Sequence, residues 1–487
     1  MHDNRHTAAT GSHAATTTDT DRETQTTFGQ DAATSARTPK GTSVKDARDT
    51  AAAQSGDPPS VNDCEASQIA QSSTRSPATK PLSVEEASTQ LLAAARVIDG
   101  SEWLPTMDCL GRVLAKPVIS RADLPGWDNS AMDGYALRAA DLQASNGWLP
   151  LSQRIAAGHC GTPLMPGTAA RIFTGAPLPE GADTVVVQEV CEPERDGVRV
   201  NAEISAGDNI RRRGEELQAG SQVLAAGTRL GPQHLGLAAG VGAAQLQVFR
   251  RLRVAMLASG DELVMPGEPL APGQIYNSNR FLFRALLQGL GCEVIDLGIV
   301  KDDREATLAA LSHAAEQADL VMASGGVSVG EEDHVRPAVE QLGSLDLWRV
   351  AMKPGKPLAF GRIRETPFIG SPGNPVSLFV TFCLFARPFI ERMQGISAAR
   401  MPTPLMLPAG FELTKPVKRH DYQRARVAFD SAGQASIQRF HSSSSAALSS
   451  LTWANGLVVI PPGESIAIGD LVAFLPFSEL VPGCASR

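Results

Sequence analysis

The sequence predicts a multidomain protein in which a doubly wound α/β domain lies between β-rich regions and follows a disordered tail. At 487 residues the chain is too long for one hydrophobic core. From Arg251 onward, apolar strand segments alternate with helical segments, which is typical of a mostly parallel sheet covered on both faces. Short strands punctuated by Gly and Pro precede and follow this block. The predicted regions are a disordered tail (1–80), an N-terminal helical linker with β-rich regions (81–250), the α/β domain (251–398) and a small C-terminal β domain (399–487).

The tail differs sharply in composition from the rest of the chain. Residues 1–80 contain no Leu, Trp or Tyr, and their only aromatic residue is Phe28. Such a segment cannot bury enough apolar surface to offset its ordering entropy. Order is predicted to begin with a helix at "PLSVEEASTQLLAAARVI", where Ser83 and Glu86 form a capping box. Its apolar face is predicted to run from Val84 to Ala95 and Ile98.

Bulk properties exclude several classes of protein. A net charge of −8 argues against a general nucleic-acid binder, because phosphate contacts need clustered Lys and Arg. The seven cysteines are scattered, without a CxxC pair, which favours reduced thiols over a disulfide framework. The most apolar run, from Val376 to Ala386, is too short to span a bilayer. We therefore expect a soluble, cytoplasmic protein that binds neither nucleic acid nor membrane.

In the α/β block, polar and flexible residues follow the predicted strands. Because the carboxyl ends of parallel strands meet at one rim, these residues are expected to converge there. Simpler interpretations exist for each: Asp302 or Asp303 would cap the next helix, and Glu331 and Glu332 would favour a helix dipole. The stretches concerned are "ASGDEL" with Asp261 and Glu262, "KDD" with Asp302 and Asp303, "SGGVSVGEED" with Asp333, "KPGKP" with Lys353 and Lys356, and "GSPGNPVS".

Together these residue types indicate phosphate or oxyanion chemistry with a divalent cation. Glycine-rich turns and a helix N-terminus present N–H groups to a phosphate, and lysines neutralise its charge. Carboxylates supply the oxygen ligands that Mg²⁺ prefers.

Three further clusters lie outside the α/β block, and each leaves two interpretations open. "LPGWDNSAMDGYAL" is either a functional loop or a structural turn. "NIRRRGEEL" is either a solvated charge run or an anion or inter-subunit site. "KRHDYQRAR", followed by "HSSSSAALSS", is either a flexible loop or an oxyanion site built from Arg424 and serines.

Eight stretches, taken in order, resemble the MoeA family of molybdopterin molybdenumtransferases, to which gephyrin's C-terminal domain and a domain of the plant enzyme also belong. The resemblance runs from about residue 81 to about residue 483. It implies insertion of molybdate into adenylylated molybdopterin, with Mg²⁺ and release of AMP, as the last step of molybdenum cofactor synthesis. It also implies a MogA-like α/β domain and an elongated homodimer in which the second subunit completes the cleft. The stretches are "DNSAMDGYA", "RIFTGAPLPEGADTVV", "NIRRRGEE", "GDEL", "GQIYNSN", "SGGVSVGEED", "KPGKP" and "GSPGNPVS".

The resemblance assigns roles to individual residues. Two positions depart from the family pattern, since Glu216 stands where relatives often have Asp, and Arg349 replaces a lysine of some relatives. The implied catalytic residues are Asp133, Thr174, Glu262, Asp302 and Asp333, of which Glu262, Asp302 and Asp333 would also hold the metal. The implied pterin, phosphate and molybdate ligands are Gly325, Gly326, Ser328, Lys353, Lys356, Pro372, Gly373, Asn374, Pro375, Arg424 and Ser445.

Two other functions are weighed against this one. A molybdopterin adenylyltransferase would share the α/β block, but its glycine loop is of GGTG type, and it would leave the β regions unexplained. A non-catalytic, gephyrin-like scaffold predicts an eroded acidic rim, whereas Glu262, Asp302 and Asp333 are all present. The expected partners are small-molecule substrates, a second subunit, and transiently the adenylyltransferase and molybdoenzyme chaperones.

Overall fold

The computed structural model describes residues 81–326, 334–399 and 401–481. Helix α1 (Val84–Ala94) opens with the predicted capping box: Ser83 N donates to Glu86 Oε2 (2.7 Å) and Glu86 N to Ser83 Oγ (3.0 Å). The predicted extension of its apolar face is wrong, because the helix ends at Ala94. Ile98 is nevertheless buried in the same core as Val84.

The chain from Ser101 to Phe249 folds into two β-rich parts with separate cores. One part pairs β1 with β12 and β2 with β11, and the other is a six-stranded sheet of order β7-β4-β6-β5-β9-β8. Two helices that the sequence pattern did not indicate accompany them. In chain order the elements are β1 (Ser101–Pro105), β2 (Val118–Ile119), β3 (Asn129–Ser130), β4 (Gly134–Leu137), α2 (Ala139–Ala144), β5 (Trp148–Ile155), β6 (Ala169–Ile172), β7 (Thr184–Val187), β8 (Cys191–Glu194), β9 (Gly197–Val200), β10 (Ile210–Arg211), β11 (Gln222–Leu224), α3 (Pro232–Gly240) and β12 (Gln245–Phe249).

The predicted α/β domain is present, and its sheet has the order β16-β13-β17-β21-β20-β18. The first four strands pair in parallel, and β20 pairs antiparallel with both β21 and β18. Alternate residues of β13 enter opposite cores, with Val254 on one face and Ala255 on the other, as expected for a sheet covered on both faces. The elements are β13 (Arg253–Ser259), β14 (Leu263–Val264), β15 (Ile275–Tyr276), α4 (Ser278–Gly289), β16 (Glu293–Val300), α5 (Arg304–Gln317), β17 (Leu320–Ser324), α6 (Val335–Leu342), β18 (Gly343–Arg349), β19 (Met352–Lys353), β20 (Pro357–Ile363), β21 (Thr366–Ser371), α7 (Pro375–Thr381), a π-helical turn (Phe382–Ala386) and α8 (Arg387–Met393).

The segment "LWRVAMKPGKPLAFG", whose apolar residues favour strands, contributes to three of them. It divides into the end of β18, the short β19 and the start of β20, because Pro354 lacks an N–H and Gly355 has a φ of +94°. Strand β19 instead pairs in parallel with a strand of the C-terminal domain, with Lys353 opposite Asp421.

The C-terminal region forms the predicted small β domain. Its sheet has the order β19-β23-β25-β26-β22, and β24 pairs with β23. The first strand of this sheet, β19, therefore comes from the α/β part of the chain. Its own elements are β22 (Leu405–Pro408), β23 (His420–Phe429), β24 (Ala435–Arg439), α9 (Ser449–Trp453), β25 (Gly456–Ile460), β26 (Leu471–Pro476) and α10 (Phe477–Leu480). None of the helices that the structure describes has the length and apolarity needed to cross a bilayer.

Candidate active site

The loops that follow β13, β17 and β21 meet at one rim of the α/β sheet, as predicted from the strand ends. Gly325 N donates to Ser371 O at 3.2 Å. Gly325 has a φ of +85°, and a Cβ added to it would lie 3.0 Å from Ser259 O. Glycine is therefore required at this position by both its backbone conformation and its close approach. Gly326 also has a positive φ, so the turn exposes backbone close to the end of β21.

The structure distinguishes between Asp302 and Asp303, which the sequence left open. Asp303 is the N-cap of α5, and its Oδ2 accepts a hydrogen bond of 2.9 Å from Ala306 N. Asp302 is half-buried and faces the rim, where its Oδ1 lies 3.4 Å from Ser259 Oγ. A contact of that length is weak, so the Asp302 carboxylate keeps most of its capacity to accept other partners.

Glu262 occupies the loop after β13, and its side chain is exposed. In the part of the chain that the structure describes, neither Glu262 nor Asp302 forms an ion pair. No group of three or more His, Cys, Asp or Glu side chains suited to a metal ion occurs among the described residues. The third predicted ligand, Asp333, and the predicted pterin ligand Ser328 lie outside those residues.

The two predicted lysines differ in their surroundings. Lys353 Nζ lies 3.5 Å from Oδ2 of Asp421, which is buried and also accepts a 2.8 Å hydrogen bond from Gln423 Nε2. Lys356 is exposed, and its ammonium group has no partner within residues 81–326, 334–399 and 401–481. Lys356 is therefore the freer of the two cations for an anionic ligand.

The turn from Pro372 to Pro375 joins the rim to the C-terminal domain. Pro372 is buried, whereas Gly373 and Asn374 are exposed, and α7 begins at Pro375. Val376 N donates to Ser445 O at 3.0 Å, so the serine-rich loop rests on the start of α7. The hydroxyl of Ser445 is half-buried and has no hydrogen-bond partner among the described residues.

Arg424, predicted as a molybdate ligand, is instead the largest fully buried side chain of the described residues. Its Nε donates to Ser450 Oγ (2.9 Å), and its Nη2 donates to Ser442 O (2.8 Å) and Ser444 O (2.9 Å). Burial lowers the pKa of its guanidinium, and nearby Asp421 partly offsets this. Arg424 thus holds the serine loop in place, with only Nη1 left without a partner in the described structure.

Asp133 and Thr174 are brought together by the six-stranded sheet. Asp133 precedes β4 and Thr174 follows β6, and these two strands are antiparallel neighbours. Asp133 Oδ1 accepts hydrogen bonds from Thr174 N (2.8 Å) and Thr174 Oγ1 (2.7 Å). These bonds, the backbone one most strongly, lower the pKa of the exposed Asp133 carboxyl. Among the described residues, no hydrogen bond or ion pair joins this pair to the α/β domain.

The arginine run is joined by ion pairs and hydrogen bonds to the loop that contains Asp123 and the stretch "LPGWDNS". Arg212 Nη1 lies 2.7 Å from Asp128 Oδ2, and Arg213 N donates to Asp128 Oδ1 at 2.8 Å. Arg213 Nε pairs with Asp123 Oδ2 at 2.5 Å. Glu215 Oε2 accepts from Arg212 N at 2.8 Å. Mutual pairing therefore explains most of the charge in both stretches, whereas the sequence left them as separate features.

The two positions that depart from the family pattern are both exposed. Glu216 is held only through its backbone, whose N–H donates to Leu124 O at 3.0 Å. Arg349 accepts a backbone hydrogen bond of 2.8 Å from Leu82 N. Neither side chain has a partner within the described residues, so the fold of this chain does not depend on either substitution.

The structure also places at the rim a residue that the sequence analysis did not single out. Asn279, in the first turn of α4, donates from Nδ2 to Ser324 Oγ (3.2 Å) and to Gly373 O (2.6 Å). The stretch "GQIYNSN" was quoted for its resemblance, but neither of its asparagines was given a role. The asparagine before the helix, Asn277, is the N-cap of α4 and accepts from Arg280 N.

Three family models, all of molybdenum cofactor biosynthesis proteins, match consecutive parts of this chain. The model of the MoeA N-terminal region (domain I and II) matches residues 82–242, a probable molybdopterin binding domain matches residues 255–392, and the MoeA C-terminal region (domain IV) matches residues 406–477. The three matches follow the order of the β-rich parts, the α/β domain and the C-terminal sheet.

Individual relatives extend this result. The chain is 38% identical over 403 residues to the molybdopterin molybdenumtransferase of Haemophilus influenzae. The alignment covers 82% of this chain and 100% of that relative. It is 40% identical over 368 residues to the enzyme of that name from Nostoc sp., covering 73% and 84%. A crystal structure of the molybdopterin biosynthesis MoeA protein from Pyrococcus horikoshii OT3 has a TM-score of 0.69 at 26% identity and covers 82% of this chain and 100% of that one. The chain belongs to the MoeA family.

Proposed function

We propose that this protein is a molybdopterin molybdenumtransferase, which inserts molybdate into adenylylated molybdopterin and releases AMP. The observation that carries the proposal is the rim itself. Glycine turns, the ammonium of Lys356 and the carboxylates of Glu262 and Asp302 adjoin strands at one rim of the sheet, and none of these three side chains forms an ion pair with another described residue. The family membership supplies the identity of the substrate, which the rim chemistry alone leaves as a phosphate ester.

The rim separates the groups that suit each part of such a substrate. The N–H of Gly326, which has no acceptor among the described residues, and the ammonium of Lys356 suit the negatively charged phosphates. The Ser445 hydroxyl, which has no partner in the described structure, suits an oxygen of molybdate. Arg424 acts in this scheme by holding the loop that carries Ser445.

The donor set fits Mg²⁺ as the metal of this site. Glu262 and Asp302 offer carboxylate oxygens that no Lys or Arg of the described chain neutralises, and Ser259 Oγ lies beside Asp302. Hard oxygen ligands of this kind are those that Mg²⁺ prefers. When bound, the ion would reduce the negative charge of the diphosphate linkage whose cleavage releases AMP. The role of Asp302 is to hold that cation and, with Glu262, to keep the remaining rim acidic.

We further propose that the active unit is a homodimer. The Asp133–Thr174 pair is exposed and has no contact with the rim of its own chain among the described residues. A second subunit is the element that would bring such a pair to the cleft. The described cysteines are free thiols, which supports a location in the cytosol. The adenylyltransferase and molybdoenzyme chaperones are proposed as transient partners.

The alternative functions are not favoured. An adenylyltransferase would need only the α/β domain, whereas the family matches extend over the β-rich parts and the C-terminal sheet. A scaffold has no use for the carboxylates of Glu262 and Asp302, which form no ion pair in the part of the chain that the structure describes.

The decisive experiment measures AMP release from adenylylated molybdopterin by the purified protein with Mg²⁺, with and without molybdate. We expect molybdate-dependent release in the native protein and at least a hundredfold loss in Asp302→Asn. Asp303→Asn is the matched control, because Asn caps a helix as well as Asp does. Binding of the pterin without any AMP release would refute the enzymatic proposal and favour a carrier.

A further inference from the structure

We propose that Asn279 is a positioning residue that sets the distance between the two glycine turns of the rim. The inference concerns the pterin site and rests on the function proposed above. Its side chain reaches both turns at once: Nδ2 donates to Ser324 Oγ, at the end of β17, and to Gly373 O, in the turn before α7. Among the described residues, no other side chain donates to both of these loops.

The geometry shows why such a link is needed. Ser324 is buried and leads directly into Gly325, whose N–H contacts Ser371 O at the end of β21. The Cβ position of Gly373 lies 3.9 Å from the Cα of Gly325, so the two turns lie almost in van der Waals contact. Neither turn has side-chain bulk of its own to fix their separation. The backbone joins the first turn to the end of β21, and the amide of Asn279 adds, from the neighbouring helix, a bond to Gly373 O that no backbone N–H of the described residues makes.

A second observation argues against simple packing. Asn279 Oδ1 is buried and has no hydrogen-bond partner in the described structure. A buried acceptor without a partner is unfavourable, and an apolar side chain of the same size would avoid that cost. We therefore infer that the amide is required at this position for the two hydrogen bonds that Nδ2 donates to the turns. The two turns that contain Gly325, Gly326 and Gly373 are thereby held in one arrangement before the substrate arrives.

The key variant is Asn279→Leu, which keeps the volume of the side chain and removes its donor. Ser324→Ala removes one of the two links and should have a smaller effect in the same direction. Gln288→Ala is the control, because Gln288 is exposed on the same helix and its side chain has no partner in the described chain. For Asn279→Leu we expect the KM for adenylylated molybdopterin to rise about tenfold, which equals about 1.4 kcal/mol. The kcat at saturation should stay within about threefold, because the groups at the reacting atoms are unchanged.

A measurement that does not depend on turnover separates this proposal from the proposed function. Hydrogen exchange at the amide of Gly325, which donates to Ser371 O, should become at least about fivefold faster in Asn279→Leu and stay unchanged in Gln288→Ala. If the native protein shows no AMP release while exchange accelerates as expected, the enzymatic proposal fails and the positioning role stands. Unchanged exchange and an unchanged KM in Asn279→Leu would show that the amide is only packing.

Discussion

Replacement of Arg424 tests whether this residue binds molybdate or holds the loop that does. Its guanidinium is almost fully buried and donates to Ser442 O, Ser444 O and Ser450 Oγ. Arg424→Met removes all three hydrogen bonds and keeps much of the side-chain volume. Arg426→Ala is the control, because Arg426 lies on the same strand with an exposed side chain that, among the described residues, donates to Gln438 and stacks over Trp453 but gives no hydrogen bond to the serine loop.

The magnitude follows from two opposing contributions. Each hydrogen bond from a charged donor contributes roughly 1.5–3 kcal/mol, so three of them contribute about 5–9 kcal/mol before desolvation. Burial of the guanidinium costs several kcal/mol, which its removal recovers. The net local destabilisation of the serine loop by Arg424→Met should therefore be about 2–4 kcal/mol. The exposed Arg426 should account for less than about 1 kcal/mol.

Hydrogen exchange provides the assay, because it reports the opening of one loop in a multidomain protein whose global unfolding is not two-state. At about 1.4 kcal/mol per tenfold change, amides of residues 442–450 should exchange roughly thirtyfold faster or more in Arg424→Met. The molybdate concentration for half-maximal AMP release should rise in parallel, because Ser445 loses its fixed position. If molybdate affinity fell while loop exchange stayed unchanged, Arg424 would be a direct ligand and the structural explanation would be refuted.

Three further perturbations separate structural from chemical roles at the other sites. Asp303→Ala should destabilise the start of α5 by about 1 kcal/mol, measured by hydrogen exchange of its amides, and should retain AMP release, because it removes only a helix cap. Asp302→Asn should leave that exchange unchanged and lose AMP release. Thr174→Val should raise the depressed pKa of Asp133, measured by carboxyl NMR titration, but only partly, since the backbone N–H of residue 174 still donates. A carboxyl with a depressed pKa stabilises the fold at pH values above its unfolded-state pKa, and this stabilisation is lost as the pH falls through its folded-state pKa. The variant loses less of it, so its stability should be less sensitive to acid than that of the native protein. Gly325→Ala should lower stability by about 1–2 kcal/mol and weaken pterin binding, because its φ is positive; unaltered binding would contradict the proposed role of this turn.

The α/β domain was largely predictable from the sequence, and so was the meeting of its strand-end loops at one rim. Strands with apolar runs, helices with caps and glycine-bounded loops are short-range patterns, so β13, α4, β16, α5 and β17 appear where the periodicity indicates. Once the strands are parallel, their carboxyl ends must lie on the same side, and the residues after them come together without further information. Where local chemistry competed, as in the division of "LWRVAMKPGKPLAFG", a proline and a glycine with positive φ overrode the apolar pattern.

The classes of element, their order and the chemical types at the strand ends follow from short stretches of the sequence. The partner that each polar side chain takes depends on long-range packing. Asp133 meets Thr174 across 41 residues, and Asp123 meets Arg213 across 90, because sheet pairing brings these segments together. The same long-range pairing buries Arg424 beneath the serine loop. Hydrogen-bond partners at such separations depend on the packed three-dimensional arrangement, which no periodicity within a short window of sequence records.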